Sequence, residues 1–350
     1  MDLSLALHGF KGGVLGLREA LFYELEGEKV RCMLCPKACL LGEGQVGVCG
    51  VRLVEGGRLY TENYGVLAAA NWDPIEKKPL YHFFPGRQIL SLGTVGCNLH
   101  CSFCQNWGLA RGKPDHCVDV INPRGVVAML ERGGGAKKAL GVAYTYNEPF
   151  VWYEFVLETA QLLHRQGYKN VLVTNGYVNP EPLAELLPYI DAMNIDLKAF
   201  NDSFYPERCR GEREPVVKTI ETAVRHCHVE ITCLLIPTLN DDLNEQEEMA
   251  RWLAALSPDL VLHYSRYFPN YRLDLPPTPP EMMEQVLENA KKHLNYVYLG
   301  NIDLPGVSDT YCPGCRNLLV SRSVYRTKIV GLDGANCSKC GKSSSIVLPV

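Results

Sequence analysis

The chain has 350 residues, 47% of them hydrophobic, and a formal net charge of −4 at pH 7. That length accommodates one large domain with small appendages, and the hydrophobic share is that of an ordinary globular core. The mild acidity gives no general electrostatic case for nucleic acid. No apolar run approaches the ~20 residues that span a bilayer, and Met1 to Gly13 has no basic region followed by an apolar stretch and a small-residue cleavage site. A cytoplasmic protein without membrane association is expected.

Fifteen cysteines are many for such a chain. In a cytosolic protein, Cys-x2-Cys pairs point to metal rather than to disulfides. Eleven fall into three groups, and Cys117, Cys209, Cys227 and Cys233 are expected to be small buried hydrophobes. The first group is Cys32, Cys35, Cys39 and Cys49, with glycines at 42, 44, 47 and 50. Four thiolates in this span can surround one metal site, and zinc and an iron–sulfur cluster are both compatible with them.

Gln88–Gly93 reads as a short apolar strand running into a loop that carries Cys97, Cys101 and Cys104, spaced Cys-x3-Cys-x2-Cys, with Phe103 before the third. Three thiolates this close can hold three corners of a cubane [4Fe–4S] cluster, whereas electron-transfer cubanes take four cysteines. The next cysteine, Cys117, is well downstream, so one iron would stay open, as a catalytic zinc keeps a position open. Further along, Pro123–Gly133 reads as a helix with Asn122 as N-cap and proline at its first position. Strands are expected at Leu140–Thr145, Asn170–Thr174, Ala192–Leu197, His228–Ile236 and Leu260–Tyr267. Helices are expected at Pro149–Arg165, Pro182–Tyr189, Val216–Cys227, Asn244–Leu256 and Pro280–Leu294. Six such units predict an α/β fold, a partial (β/α)6 TIM-like barrel. A doubly wound sheet has the same period. Either way function belongs at the C-terminal ends of the strands, where the cysteine loop falls.

The last group, Cys312, Cys315, Cys337 and Cys340, forms two Cys-x2-Cys knuckles joined by Leu318–Val320 and Val324–Val330, which read as strands. This pattern describes a zinc-ribbon-like module in which metal replaces a hydrophobic core. Arg322, Tyr325, Arg326 and Lys328 make either a solvated strand face or a basic aromatic patch for RNA or protein. The expected organisation is an N-terminal four-Cys extension over 1–86, the partial barrel over 87–305 and the ribbon-like module over 306–350.

The run from Gly96 to Trp107 resembles the signature of the radical S-adenosylmethionine (radical SAM) superfamily. The resemblance implies that the methionine amine and carboxylate of S-adenosylmethionine chelate the open iron, and that one electron then cleaves the sulfonium to a 5′-deoxyadenosyl radical. By the same resemblance Asn147 and Glu148 stand where a Gly-Gly-Glu motif holds the methionine amine, with Tyr146 and Asn147 replacing the glycines. An acid at 148 also suits the start of the next helix. The strand ends at Thr174, Asn175, Asp196 and Lys198 look like those of the pyruvate formate-lyase activating enzyme group, in which the lysine pairs with the cofactor carboxylate. Thr174 stands where that group usually has an acid. His263 is either an adenosine contact or a core histidine. Together with Asp73 to His82 and the two flanking cysteine groups, these motifs resemble the radical SAM component of the AmmeMemoRadiSam system. That resemblance implies Memo-type and AMMECR-type partners and a one-electron donor of flavodoxin or ferredoxin type.

The expected activity is reductive cleavage of S-adenosylmethionine and hydrogen abstraction, either from a protein glycine or from a nucleic acid or small metabolite. The alternative is an electron-transfer or metal-dependent binding protein without turnover, its central cluster closed by a fourth thiolate such as Cys117.

Overall fold

The computed structural model describes residues 17–114, 119–133, 139–323 and 326–349. Met1 to Gly13, Cys117, Val324 and Tyr325 lie outside them. Eight strands form the central sheet: β1 Ala69–Pro74, β2 Gln88–Gly93, β3 Gly141–Tyr144, β4 Lys169–Thr174, β5 Ala192–Asp196, β6 His228–Leu235, β7 Val261–Arg266 and β8 Tyr296–Gly300. The helices between successive strands are α1 Pro123–Gly133, α2 Tyr153–Arg165, α3 Pro180–Leu186, α4 Arg213–Ala223, α5 Leu243–Leu256 and α6 Pro280–Ala290. Local chemistry sets their starts. Asn122 Oδ1 accepts from Gly125 N at 2.9 Å at the head of α1, and Asp242 Oδ1 accepts from Asn244 N and Glu245 N at the head of α5.

The strands lie in the order β8-β7-β6-β5-β4-β3-β2-β1. β2 to β8 are parallel, and β1 runs antiparallel along β2. A doubly wound sheet reverses its order at a switch point and carries helices on both faces. Here the order never reverses, so right-handed crossovers place all six helices on one face. The parallel strands number seven rather than the expected six: β8 follows α6 and buries Tyr296, Val297, Tyr298 and Leu299. The boundary expected at residue 86 also differs, because β1 precedes it and is a full member of the sheet.

Alternating residues divide between the two faces. Leu90, Val142, Leu172 and Met193 enter the larger core on the helical side. Ile89, Ala143, Val171 and Ala192 pack on the other side against Ile75, Leu80 and Phe83. The segment before β2 thus covers the N-terminal part of the helix-free face and leaves its C-terminal part open. Ahead of β1, two small antiparallel sheets carry the first cysteine group. After β8, a hairpin of Leu318–Ser323 and Arg326–Ile329 carries the last. No helix among the described residues is long and apolar enough to cross a membrane.

Candidate active site

The open part of the helix-free face is a cavity of about 1330 Å³ at the C-terminal ends of the parallel strands. Cys97, Cys101 and Cys104 line it from the loop after β2. Asn147 and Glu148 enter after β3, Thr174 and Asn175 at the end of β4, Asp196 and Lys198 at the end of β5, and His263 from β7. The structure therefore brings together all ten residues singled out for the cluster and the cofactor. The cysteines of the two flanking groups lie elsewhere.

Backbone bonds from His100 N to Cys209 O and from Ser102 N to Arg208 O hold the cluster loop. Arg111 donates to the carbonyls of Cys97 and Leu99 at 3.0 and 2.6 Å. Burial pushes the Cys97 and Cys104 thiols up. Cys101 is pushed well up, first by its hydrogen bond with Cys209 and then by burial. Cys209, expected as a simple buried hydrophobe, is indeed buried, but it packs against a cluster cysteine.

Glu148 is buried, and its carboxylate is held from three sides. Oε1 accepts from Thr174 Oγ1 at 2.7 Å and from Phe150 N at 3.1 Å, and Oε2 accepts from Asn175 N at 2.8 Å. Burial nevertheless raises its pKa to about 7. The bond to Phe150 N caps the short turn Pro149–Trp152, so the acid does open the next helical segment. A carboxylate has about four lone-pair sites, so one remains for a ligand. Tyr146 takes a φ of +74°, the left-handed backbone that favours glycine, so the chain keeps the bend without the glycine. Its hydroxyl donates to Asp73 Oδ2 at 2.9 Å, and Lys78 lies over its ring. Asn147 is a fastener: Oδ1 accepts from Thr94 N at 3.1 Å and Nδ2 donates to Gly96 O at 2.9 Å.

Asn175 Nδ2 lies 3.7 Å from Cys97 Sγ and 3.0 Å from Asn98 Oδ1. Such a donor to a ligating sulfur orients it and tunes the metal group it holds. Lys198 Nζ pairs with Asp196 Oδ2 at 2.8 Å. Burial opposes the Lys198 ammonium, but the charges of Asp196, Cys101 and Cys209 outweigh it and hold its pKa well above the ordinary value.

His263 is tied down, with Nε2 2.6 Å from Glu230 Oε2. Sequence reasoning missed Glu230. This fully buried carboxylate also takes His228 Nε2 at 2.9 Å, Tyr81 N at 2.9 Å and His82 N at 2.7 Å. Burial works against its charge, yet the bonds from His228 and His263 bring its pKa well below the ordinary value. The available signal was an acid at an inward position of a mostly apolar strand. Arg322 is a latch and not part of a free patch: it donates to Tyr81 O at 2.6 Å, Ser308 O at 2.9 Å and Thr310 Oγ1 at 2.7 Å. Arg326 and Lys328 line the cavity mouth.

In the C-terminal group all four sulfurs lie within 4.8 Å of one another, with Cys312–Cys340 and Cys315–Cys337 each at 3.6 Å. In the N-terminal group Cys32 N donates to Cys39 O at 2.9 Å. The Cys35 thiol is raised to about 12, first by burial and then by charge at Cys32 and Cys49. Arg52 Nη1 lies 3.9 Å from Cys32 Sγ, while its Nη2 pairs with Glu154 at 2.5 Å in a buried bridge.

The family model of the radical SAM superfamily matches residues 91–253. An uncharacterized protein of Methanocaldococcus jannaschii is 40% identical over 340 residues, spanning 95% of this chain and 100% of that one. The pyruvate formate-lyase-activating enzyme of Clostridium pasteurianum is 27% identical over 164 residues, spanning 44% of this chain and 65% of that one. Among solved structures, a radical SAM methyltransferase from Sphaerobacter thermophilus is 18% identical, with 67% of this chain and 71% of that chain covered and a TM-score of 0.48.

Proposed function

Residues 91–253 form a radical SAM domain, and we propose that the chain cleaves S-adenosylmethionine reductively and abstracts a hydrogen atom from a substrate in the same cavity. The observation that carries this reading is the convergence of three cysteines, the Glu148 carboxyl and a cationic Lys198 on one cavity. Cys97, Cys101 and Cys104 fit a [4Fe–4S] cluster: the donors are all thiols, all three line the cavity, and they do not crowd within 4.8 Å as the four C-terminal sulfurs do. When bound, the cluster and S-adenosylmethionine supply one-electron cleavage of a sulfonium.

The chain's own residues bind and orient. The free lone pair of Glu148 would accept from an N–H of the cofactor's amine, and Lys198, steadied by Asp196, would pair with its carboxylate. Thr174 and Asn175 hold Glu148 in place, and Asn175 also steadies Cys97. Asn147 fastens the cluster loop. His263 lines the same cavity from β7, where the adenosine would lie. Drug-sized pockets run to about 1,000 Å³, so this larger cavity has room for the cofactor and a second group. We take that group to be a glycyl segment of a protein. The similarity to a pyruvate formate-lyase-activating enzyme supports this choice.

The one-way strand order supports a partial barrel with an N-terminal four-Cys extension and a C-terminal module as separate units. The 3.6 Å sulfur pairs support zinc in that module, since Zn–S bonds of about 2.3 Å in a tetrahedron bring sulfurs to this spacing. Membership of the AmmeMemoRadiSam system, Memo-type and AMMECR-type partners, a flavodoxin or ferredoxin donor and a cytoplasmic location complete the reading. The test is anaerobic reconstitution followed by S-adenosylmethionine and dithionite, with 5′-deoxyadenosine as readout. An intact cluster that yields no product would favour the electron-transfer or binding protein instead.

A further inference from the structure

The N-terminal cysteines stand directly against the cluster loop. Cys97 N donates to Cys49 O at 3.2 Å, and His100 Nε2 lies 3.1 Å from Val48 O. Gly96, at φ +95°, permits the contact: a Cβ there would meet Cys49 O at 2.9 Å and Val51 Cγ1 at 2.8 Å. Cys32 and Cys35 are buried, Cys39 and Cys49 half-buried, and all four are free thiols. Gly47 sits between two of them, since a Cβ there would lie 3.8 Å from both Cys39 Sγ and Cys49 Sγ.

Sulfur spacing separates the metals this set could hold. Four thiolates on one zinc crowd together, as they do in the C-terminal group, where all four sulfurs fall within 4.8 Å. On a cubane each thiolate binds a different iron, so the sulfurs stand farther apart. Among the described residues, no three sulfurs of Cys32, Cys35, Cys39 and Cys49 lie within 4.8 Å of one another, and the same holds for Cys97, Cys101 and Cys104. The N-terminal group, like the central one, therefore lacks the one-ion spacing of the ribbon-like group.

We propose that Cys32, Cys35, Cys39 and Cys49 hold a second [4Fe–4S] cluster, ligated by protein at all four irons and serving as a one-electron relay beside the first. The relay role rests on the radical SAM reading, whereas the site does not. A low-potential carrier protein of flavodoxin or ferredoxin class gives one electron, which takes this cluster from the 2+ to the 1+ state. It returns to 2+ when the electron moves on across the Cys49–Cys97 contact. No bond is made or broken and no proton is needed. Arg52, a buried cation beside Cys32 Sγ, favours the reduced state, because charge and hydrogen bonds at the sulfurs set a cluster's potential.

The test is metal content of the full chain, reconstituted anaerobically, and of a Cys97→Ser/Cys101→Ser/Cys104→Ser variant. The native chain should hold about eight irons and about one zinc, and the triple variant about four irons with a reduced-cubane electron paramagnetic resonance signal unmoved by S-adenosylmethionine. A triple variant without iron and with about two zincs overturns the proposal. If the native chain holds about four irons that the triple variant keeps, the second site stands and the central one falls. In a Cys35→Ser/Cys39→Ser variant that retains the central cluster, cleavage driven by reduced flavodoxin should be lost. Unchanged flavodoxin-driven cleavage overturns the relay.

Discussion

Glu148 offers a sharp test through the pH dependence of cofactor affinity. Burial raises its carboxyl to about 7 in the free protein, and the carboxylate is the form that accepts from the amine N–H. For an acid with a raised pKa, the binding form disappears as pH falls through that value. S-adenosylmethionine affinity should therefore be flat above pH 7 and weaken about tenfold per pH unit well below it. Between about pH 8 and pH 5.5 the loss is about 30-fold, or about 2 kcal/mol. Glu148→Gln should abolish this slope and weaken binding by about 30-fold at high pH, the worth of one charge-assisted hydrogen bond. The variant also strands one backbone N–H, of Asn175 or of Phe150, because only one end of the amide can accept, so stability should drop by about 1–3 kcal/mol. The assay is anaerobic titration calorimetry of the reconstituted protein. A native affinity that does not vary across this range, or a Glu148→Gln protein that keeps the slope, would refute the assignment of Glu148 to the cofactor's amine.

Other substitutions separate the sites. Cys101→Ala should abolish 5′-deoxyadenosine formation and leave the C-terminal metal in place. Cys315→Ala should release that metal without bleaching the central cluster, and loss of both metals from either change would argue against independent sites. Asn175→Ala removes a donor to Cys97 Sγ, so a redox titration of the central cluster should show a more negative midpoint; an unshifted potential would contradict the contact. Glu230→Ala leaves His228, His263 and two backbone N–H groups facing a void and should cost about 3–5 kcal/mol, read as a lowered thermal midpoint. Since the folded carboxylate ionises well below its ordinary range, the stability it contributes is complete above the unfolded carboxylate's pKa and is lost on acidification through the folded one. A midpoint that does not move on substitution would mean the network adds nothing to stability.

Much of the site was legible in the sequence because it is local. The spacing of Cys97, Cys101 and Cys104 is set by covalent connectivity within one loop, and the strands that end at Thr174 and Asp196 show up as short apolar runs. The helix start at Asn122 was equally plain, since a cap bonds only its own first turn. Period could not show the direction of winding, because a helix between two parallel strands looks the same whichever face it takes. β1 and β8 escaped because an edge strand is defined by the neighbour it pairs with. Whether His263 faces a ligand or Glu230, and whether four cysteines sit at the spacing of one ion or of a cubane, depends on groups far apart in the chain. Sequence by itself determined which ligands belong together and on which edge they fall. Tertiary packing alone decided the one-way sheet, the Glu230 network and the Cys49–Cys97 contact, because each is made between segments that only the folded sheet brings within reach.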